Sequence, residues 1–332
     1  MAMIQQNPVD CLPCLPITMG FASDCINARY FDYAMDYRVQ VDAQIEVSDF
    51  FDFDHVSVIS DPAVEAADCG AEFVTFPNEP PTLDEARALL RDKARLKQLR
   101  SPDPTAGRRM SNRLEALRSL KERVGGSRLI EGWIEGPCAQ AANLRGLNAL
   151  IADFNGDRAF AHDLFQFAVE MELWFAREQI SVGADIIGIG DASSSLIDPA
   201  HYAEFVFPYQ KDLIDRVHGN GGYVRLHISG NISRNLSYIA ALNADIVDID
   251  CPTPIDDARR VLGTAQIITG NIGPEPLLSE TPKAVRSALE ECHRKAGEPY
   301  IPAPGREIPR KTPYENVREI VRYARERPAT HE

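Results

Sequence analysis

Positive charge is in short supply in this chain: 35 Lys and Arg stand against 49 Asp and Glu, a formal net charge of -14. Such a mean field repels nucleic acids and anionic lipid surfaces, so neither is expected as a partner. Long apolar runs are also missing, and no stretch reaches the ~20 residues that span a bilayer. The first residues, Met-Ala-Met-Ile-Gln-Gln-Asn-Pro, show no basic segment followed by an apolar one, so no secretory signal is expected and the location is expected to be cytoplasmic. Seven cysteines, odd in number and scattered, do not make a disulfide framework. Cys11 and Cys14 have Cys-x-x-Cys spacing around Pro13, but no second pair follows at zinc-ribbon distance. Neither G-x-G-x-x-G nor G-x-x-x-x-G-K-[ST] follows any apolar run, which removes the usual phosphate cradles.

What the chain does have is enough apolar material for a large core: 44% of its 332 residues are hydrophobic and 25% charged. Residues 27–50 carry Tyr30, Tyr33, Tyr37, Val41 and Ile45 at three- and four-residue steps, predicting a helix ahead of the first strand. Short apolar, β-branched runs then recur at residues 55–60, 72–76, 128–135, 185–191, 223–228, 245–250, 266–271 and 300–303, most of them separated by helical patterns. Between the second and third runs lies the most charged part of the chain, read as a basic helix over 83–98, a Pro/Gly turn over 101–107 and a second amphipathic helix. Eight strands alternating with helices is the count for a closed (β/α)8 barrel. The expected organisation is one α/β domain over 1–332, with a helical extension at 1–53 and the barrel at 54–332; a doubly wound open sheet is the alternative.

In such barrels the C-terminal strand ends and the loops after them build the active site. The residues expected on that rim are Asp61, Glu135, Asp191, His227, Asp250 with Cys251, Asn271 and the loop after Ala303. Four acidic groups around one imidazole suit either a cation site or general acid/base work, because crowded carboxylates raise one another's pKa. Each has a plainer reading as well: Asp61 as a helix cap, Glu135 as a partner of Arg145, Asp250 as a turn acceptor, His227 as a hydrogen-bonded core histidine.

In order along the chain, the segments Asp54 to Gly70 (D-x-V-S-V-x-S-D-x-x-V-E-A-x-x-x-G), Glu135-Gly-Pro137, Gly183 to Asp191 (G-A-D-I-I-G-I-G-D), His227-Ile-Ser-Gly-Asn231, Thr269-Gly-Asn-Ile-Gly-Pro274, Pro304-Gly305 and Thr312-Pro-Tyr-Glu-Asn316 resemble the uroporphyrinogen decarboxylase superfamily. The resemblance implies a (β/α)8 barrel with an N-terminal helical extension. Two activities occur within that superfamily. True decarboxylases hold their many-carboxylate porphyrinogen with an N-terminal R-Q-A-G-R-Y, of which this chain keeps only Arg29-Tyr30. The other branch comprises cobalamin-dependent methyltransferases with a zinc motif, H-x-C and a distant G-C. Here His227 is kept, while Ser229 stands for the first cysteine and Arg306, after Gly305, for the second.

The resemblance therefore implies methyl transfer from a small methylated donor, methoxylated or methylamine-like, to a corrinoid protein. Cobalamin would come with that separate protein, since no D-x-H-x-x-G occurs in this chain. Asp61, Glu135, Asp191 and His227 are the expected catalytic residues, and Arg145, Ser229, Asn271 and Arg306 the expected substrate contacts. Zinc, if bound, would be held by His227 with Glu135 and Asp191, all three facing one pocket with Ser229 and Arg306 nearby. Uroporphyrinogen decarboxylation is the second reading, a non-catalytic binding barrel the third, and a homo-oligomer is compatible with each.

Overall fold

The computed structural model describes residues 1–5, 7, 9–106 and 108–327. Gly107, at the end of the expected Pro/Gly turn, and residues 328–332 lie outside them. Nine strands occur among the described residues: β1 (His55–Ser57), β2 (Phe73–Val74), β3 (Thr82–Leu83), β4 (Leu129–Glu135), β5 (Ile186–Gly190), β6 (Tyr223–Ile228), β7 (Ile246–Ile249), β8 (Ile267–Ile272) and β9 (Tyr300–Pro304). Seven of them form one parallel sheet in the order β1-β4-β5-β6-β7-β8-β9, each strand pairing with the next one of the sheet along the chain. This is a curled, TIM-barrel-like α/β fold.

The expected second barrel strand, 72–76, is a correction. Phe73 and Val74 pair antiparallel with Leu83 and Thr82, outside the main sheet, and β1 pairs directly with β4. Parallel strands of such a sheet are covered on both faces. Val74 and Phe76 are 36% and 39% exposed, so this run never acquires that cover. Instead, residues 14–17 touch both edges of the seven-stranded sheet. The Asp54 amide, just before β1, donates to Cys14 O at 3.1 Å, and the Ile308 amide, just after β9, donates to Ile17 O at 2.7 Å.

Alternation along each strand sorts the side chains. Ile130 and Ile134, Ile187 and Ile189, Val224 and Leu226, Val247 and Ile249 join one apolar cluster with residues of the covering helices, such as Leu117, Phe165 and Val217. Ile186, Ile246, Ile267 and Ile301 belong to a second cluster with Met3, Leu12 and Phe53. Each fully buried aliphatic side chain contributes roughly 1.5–3 kcal/mol.

Three helices, Met19–Cys25, Tyr30–Met35 and Tyr37–Phe51, precede β1. The single helix expected over 27–50 is broken at Asp36, whose carboxylate accepts the Arg38 amide at 3.0 Å and starts a new helix. The charged stretch 83–98 is not one helix either. Asp84 and Asp92 each accept an amide two residues on and open separate short 3-10 turns, Glu85–Arg87 and Lys93–Lys97. No helix among the described residues is long and apolar enough to cross a membrane.

Candidate functional site

His227 lies at the C-terminal end of β6, half-buried, and both of its ring nitrogens are engaged. Nδ1 is 2.8 Å from Asp248 Oδ2 and Nε2 is 3.0 Å from Ser229 Oγ. Asp248 is the residue opposite His227 in the β6–β7 register, and Ser229 lies two residues on, the same side by alternation. The carboxylate of Asp248 also takes Arg225 Nε, at 2.9 and 3.1 Å, and Arg225 Nη1 reaches Glu131 Oε1 on β4 at 3.3 Å. Glu131, Arg225 and Asp248 are all buried, so a polar chain runs from Glu131 through Arg225 and Asp248 to His227 and Ser229.

Burial alone would raise the Asp248 carboxyl, but the Arg225 guanidinium and the His227 ring outweigh it and hold it below the usual carboxylate value. It is therefore an anion at neutral pH, able to pair with Nδ1 and fix the orientation of the ring. Burial would likewise lower the Arg225 pKa, and Asp248 and Glu131 reverse that. His55, at the base of the same chain with Nε2 3.7 Å from Glu131 Oε2, is pushed down to about 3 by burial and by Arg225, so it is neutral. The Trp133 indole lies 6.0 Å from the His227 ring, over Gly188, where a Cβ would come within 2.2 Å of the indole. Only glycine leaves room for that wall beside the histidine.

A second group sits at the ends of β7 and β9. Buried Asp250 accepts the Gly230 amide (2.6 Å), the Cys251 amide (2.7 Å) and Arg306 Nε (2.6 Å). Gly305 holds this loop down: a Cβ there would meet Cys251 N at 2.8 Å and Asp250 Cα at 2.9 Å. Asn271 donates to Thr253 O at 2.9 Å and braces the same loop.

The other expected site residues are placed differently. Asp191 is fully buried and turns to the helix Pro137–Arg145, accepting the Ala139 amide at 2.6 Å and Gln210 Nε2 at 2.6 Å. Burial, partly offset by those donors, pushes its carboxyl up to about 6. Asp61 is clamped by Arg109, whose two terminal nitrogens lie 2.7 and 2.6 Å from its oxygens, and it also accepts the Ala63 amide and the Ser60 hydroxyl. Arg145 does not pair with Glu135: its Nε is 2.7 Å from Asp153 Oδ2, and its Nη1 donates to Leu90 O and Arg91 O. Glu135 stands beside a buried group comprising Glu65, Glu172 and Arg113, with Arg113 Nη1 3.1 Å from Glu65 Oε1. Burial, then Glu65, drives the Glu135 carboxyl well above its usual value.

These placements test the expected zinc ligands. Among the described residues no three His, Cys, Asp or Glu side chains converge in a way that could hold a metal ion. Asp191 turns to the helix Pro137–Arg145 and to Gln210, and Glu135 stands with the buried Glu65, Glu172 and Arg113. Among the described residues the expected Glu135–Asp191–His227 set therefore does not come together as a zinc site. What the sequence reading missed is Asp248, Arg225 and Glu131, the groups that hold His227.

A family model described as "Uroporphyrinogen decarboxylase (URO-D)" matches residues 1–327, and the chain belongs to that family. It is similar to the uroporphyrinogen decarboxylase of Synechococcus sp. (strain CC9605), 27% identical over 273 residues, 79% of this chain and 75% of that protein. The uroporphyrinogen decarboxylase of Trichodesmium erythraeum is 26% identical over 300 residues, 87% of this chain and 82% of that one. Among solved structures, a methyltransferase from Methanosarcina mazei superposes with a TM-score of 0.84 at 21% identity, covering 98% of this chain and 96% of its own. A B12-independent methionine synthase from Shewanella sp. follows at a TM-score of 0.58 and 11% identity, covering 86% of this chain and 87% of its own. At these identities the structural likeness is one of fold.

Proposed function

We propose that this member of the uroporphyrinogen decarboxylase family transfers a methyl group from a small methylated donor, bound at the barrel mouth, to a corrinoid carried by a separate protein. The observation that carries the reading is His227 held between Asp248 and Ser229, 2.8 and 3.0 Å away, at the end of a central strand. The corrinoid would supply the nucleophile. This chain's residues would bind the donor and manage one proton.

When a methyl group leaves a methoxyl donor, the carbon–oxygen bond breaks and its electron pair stays on oxygen. A general acid at that oxygen lowers the barrier, worth about 10²–10⁴-fold in rate. His227 suits this task because anionic Asp248 fixes the ring through Nδ1, leaving Nε2 to deliver a proton directly or across the Ser229 hydroxyl. The proton is then replaced from solvent at the half-buried ring. Trp133 beside the ring would limit water at the reacting centre.

Uroporphyrinogen decarboxylation is the second reading, supported by the names of the related proteins. Its substrate is a polyanion and calls for several uncommitted cations. Here Arg29 is tied to Asp32 through two contacts, at 2.8 and 2.9 Å, while Arg109 and Arg225 are consumed by Asp61 and by Asp248 with Glu131. The two readings separate in one assay. The protein is mixed with a reduced corrinoid protein and a panel of methoxylated and methylated compounds, and the spectrum of the methylated corrinoid is followed; uroporphyrinogen is offered in parallel and carbon dioxide measured. Methylation supports the proposal. Carbon dioxide release at an ordinary enzymatic rate, with no donor giving methylation, supports the second reading instead.

A further inference from the structure

Arg306 differs from the other guanidiniums that line this end of the sheet. Arg109 spends both terminal nitrogens on Asp61, Arg113 is divided among Glu65, Trp133 O and Ser60, and Arg225 is shared by Asp248 and Glu131. Arg306 is anchored through Nε alone, to Asp250 Oδ2 at 2.6 Å. Its two terminal nitrogens take no protein partner among the described residues. The side chain is 49% exposed whereas Asp250 is 1% exposed, so a buried carboxylate holds a guanidinium whose outer edge faces solvent.

Asp250 orients this cation without cancelling it, because its negative charge is also shared with two backbone amides, those of Gly230 and Cys251. The same Asp250 oxygen accepts from Gly230 N and from Arg306 Nε, which places the guanidinium beside the residue that follows Ser229, the hydroxyl partner of His227. An outward pair of N–H groups in a fixed plane matches a carboxylate bidentately, a geometry that a lysine ammonium does not reproduce. In a chain of net charge -14, such a group at the site also gives an anionic ligand a local attraction that the surrounding field withholds.

We propose that Arg306 is the carboxylate clamp of the site, and that the methyl donor is a small O-methylated carboxylic acid whose carboxylate pairs with Arg306 while its methoxyl reaches His227. This rests on the methyl-transfer reading above and narrows its substrate class.

The test is a matched pair of probes, 4-methoxybenzoate and the neutral 4-methoxybenzamide, titrated calorimetrically into the intact protein, Arg306→Gln and Arg306→Lys, without any corrinoid. In both variants Asp250 keeps the Gly230 and Cys251 amides, and thermal unfolding of each variant checks that the loop stays folded. We expect wild type to favour the carboxylate by about 10- to 100-fold, the range for charge-assisted hydrogen bonds. Arg306→Gln should lose that preference with its affinity for the amide changed less than twofold, and Arg306→Lys should recover only part of it. Equal affinity of wild type for the two probes, or a preference that survives Arg306→Gln, overturns the clamp while leaving the methyl-transfer reading intact. If neither probe binds wild type at millimolar concentration, the clamp and the methoxylated-donor reading fall together.

Discussion

The carboxylate of Asp248 is shared by two side chains of the same strand: Oδ2 lies 2.8 Å from His227 Nδ1 and 3.1 Å from Arg225 Nε. One buried group thus orients the histidine and neutralises the guanidinium. Asp248→Asn keeps the shape but removes the charge, which frees the ring to adopt the other tautomer and leaves Arg225 to Glu131 alone. We expect turnover to fall by about 10²–10⁴-fold, with stability lowered by about 3–5 kcal/mol as for a buried pair deprived of one partner. Urea denaturation and steady-state kinetics on the folded fraction separate the two effects. Full activity in a destabilised protein would show that Asp248 is structural only.

His227→Gln keeps a hydrogen-bonding side chain in a half-buried position, so it should fold normally. Turnover should fall by about 10²–10⁴-fold while donor affinity stays within a few-fold. Ser229→Ala, which leaves the ring in place, should cost much less. An equal loss in both variants would mean that the hydroxyl, rather than the imidazole, is the group in contact with the donor.

Arg145 is tied to Asp153, Leu90 O and Arg91 O, so its expected effect is on stability. Its removal strips hydrogen bonds from Leu90 O and Arg91 O, but Asp153 retains Lys93 at 2.5 Å and is not left as an unpaired buried charge. Arg145→Ala should therefore cost about 1–3 kcal/mol and leave donor binding unchanged, as thermal unfolding and calorimetry would report. A specific loss of donor affinity would return Arg145 to the site.

The buried Glu65–Glu135–Glu172 group makes stability depend on pH. Burial pushes Glu65 up to about 7, against the pull of Arg113, and also raises Glu135 and Glu172 well above their usual value. A carboxyl whose folded pKa exceeds its unfolded value binds more protons when folded, so its contribution is present below the unfolded value and is lost as pH rises toward the folded one. Between pH 4.5 and about 7 the Glu65 contribution should fall by on the order of 3 kcal/mol, at about 1.4 kcal/mol per pH unit. His55 acts in the opposite sense, its lowered pKa favouring the fold as pH rises toward 6.5. The informative quantity is the difference between wild type and Glu65→Gln, measured by denaturant unfolding from pH 4.5 to 7.5. The variant's relative stability should increase across that window, and a flat difference would contradict the buried-acid account.

Much of this architecture was legible in the sequence, and the failures have definite causes. Seven of the eight expected strands occupy their places in the sheet, because apolar runs bounded by Gly, Pro and Asp report burial directly. The run around Phe73 has the same local signature, but whether a strand is covered on both faces is decided by the rest of the chain. His227, Ser229, Asp250 and Arg306 were found at strand ends and in the loops after them. Asp248 is less legible than Asp250 because pairing register, which sets Asp248 opposite His227, is a relation between distant segments. A usable signal did exist: stepping back two residues from His227 lands on Arg225, a charged residue inside a buried strand, and such a charge requires partners. The caps at Asp84 and Asp92, which divide the charged stretch, were equally readable.

The account turns on whether this site moves a methyl group with His227 as its proton donor. The direct measurement is a single-turnover reaction of a deuteromethyl-labelled methoxylated carboxylic acid with a reduced corrinoid protein, followed by absorbance and by mass spectrometry of the corrinoid, for wild type and His227→Gln. The account predicts labelled methyl on the corrinoid and release of the demethylated hydroxy acid with wild type, and a rate lower by about 10²-fold or more with the variant. Label transferred at the same rate by both proteins, or no label transferred by wild type from any donor of the panel, would contradict it.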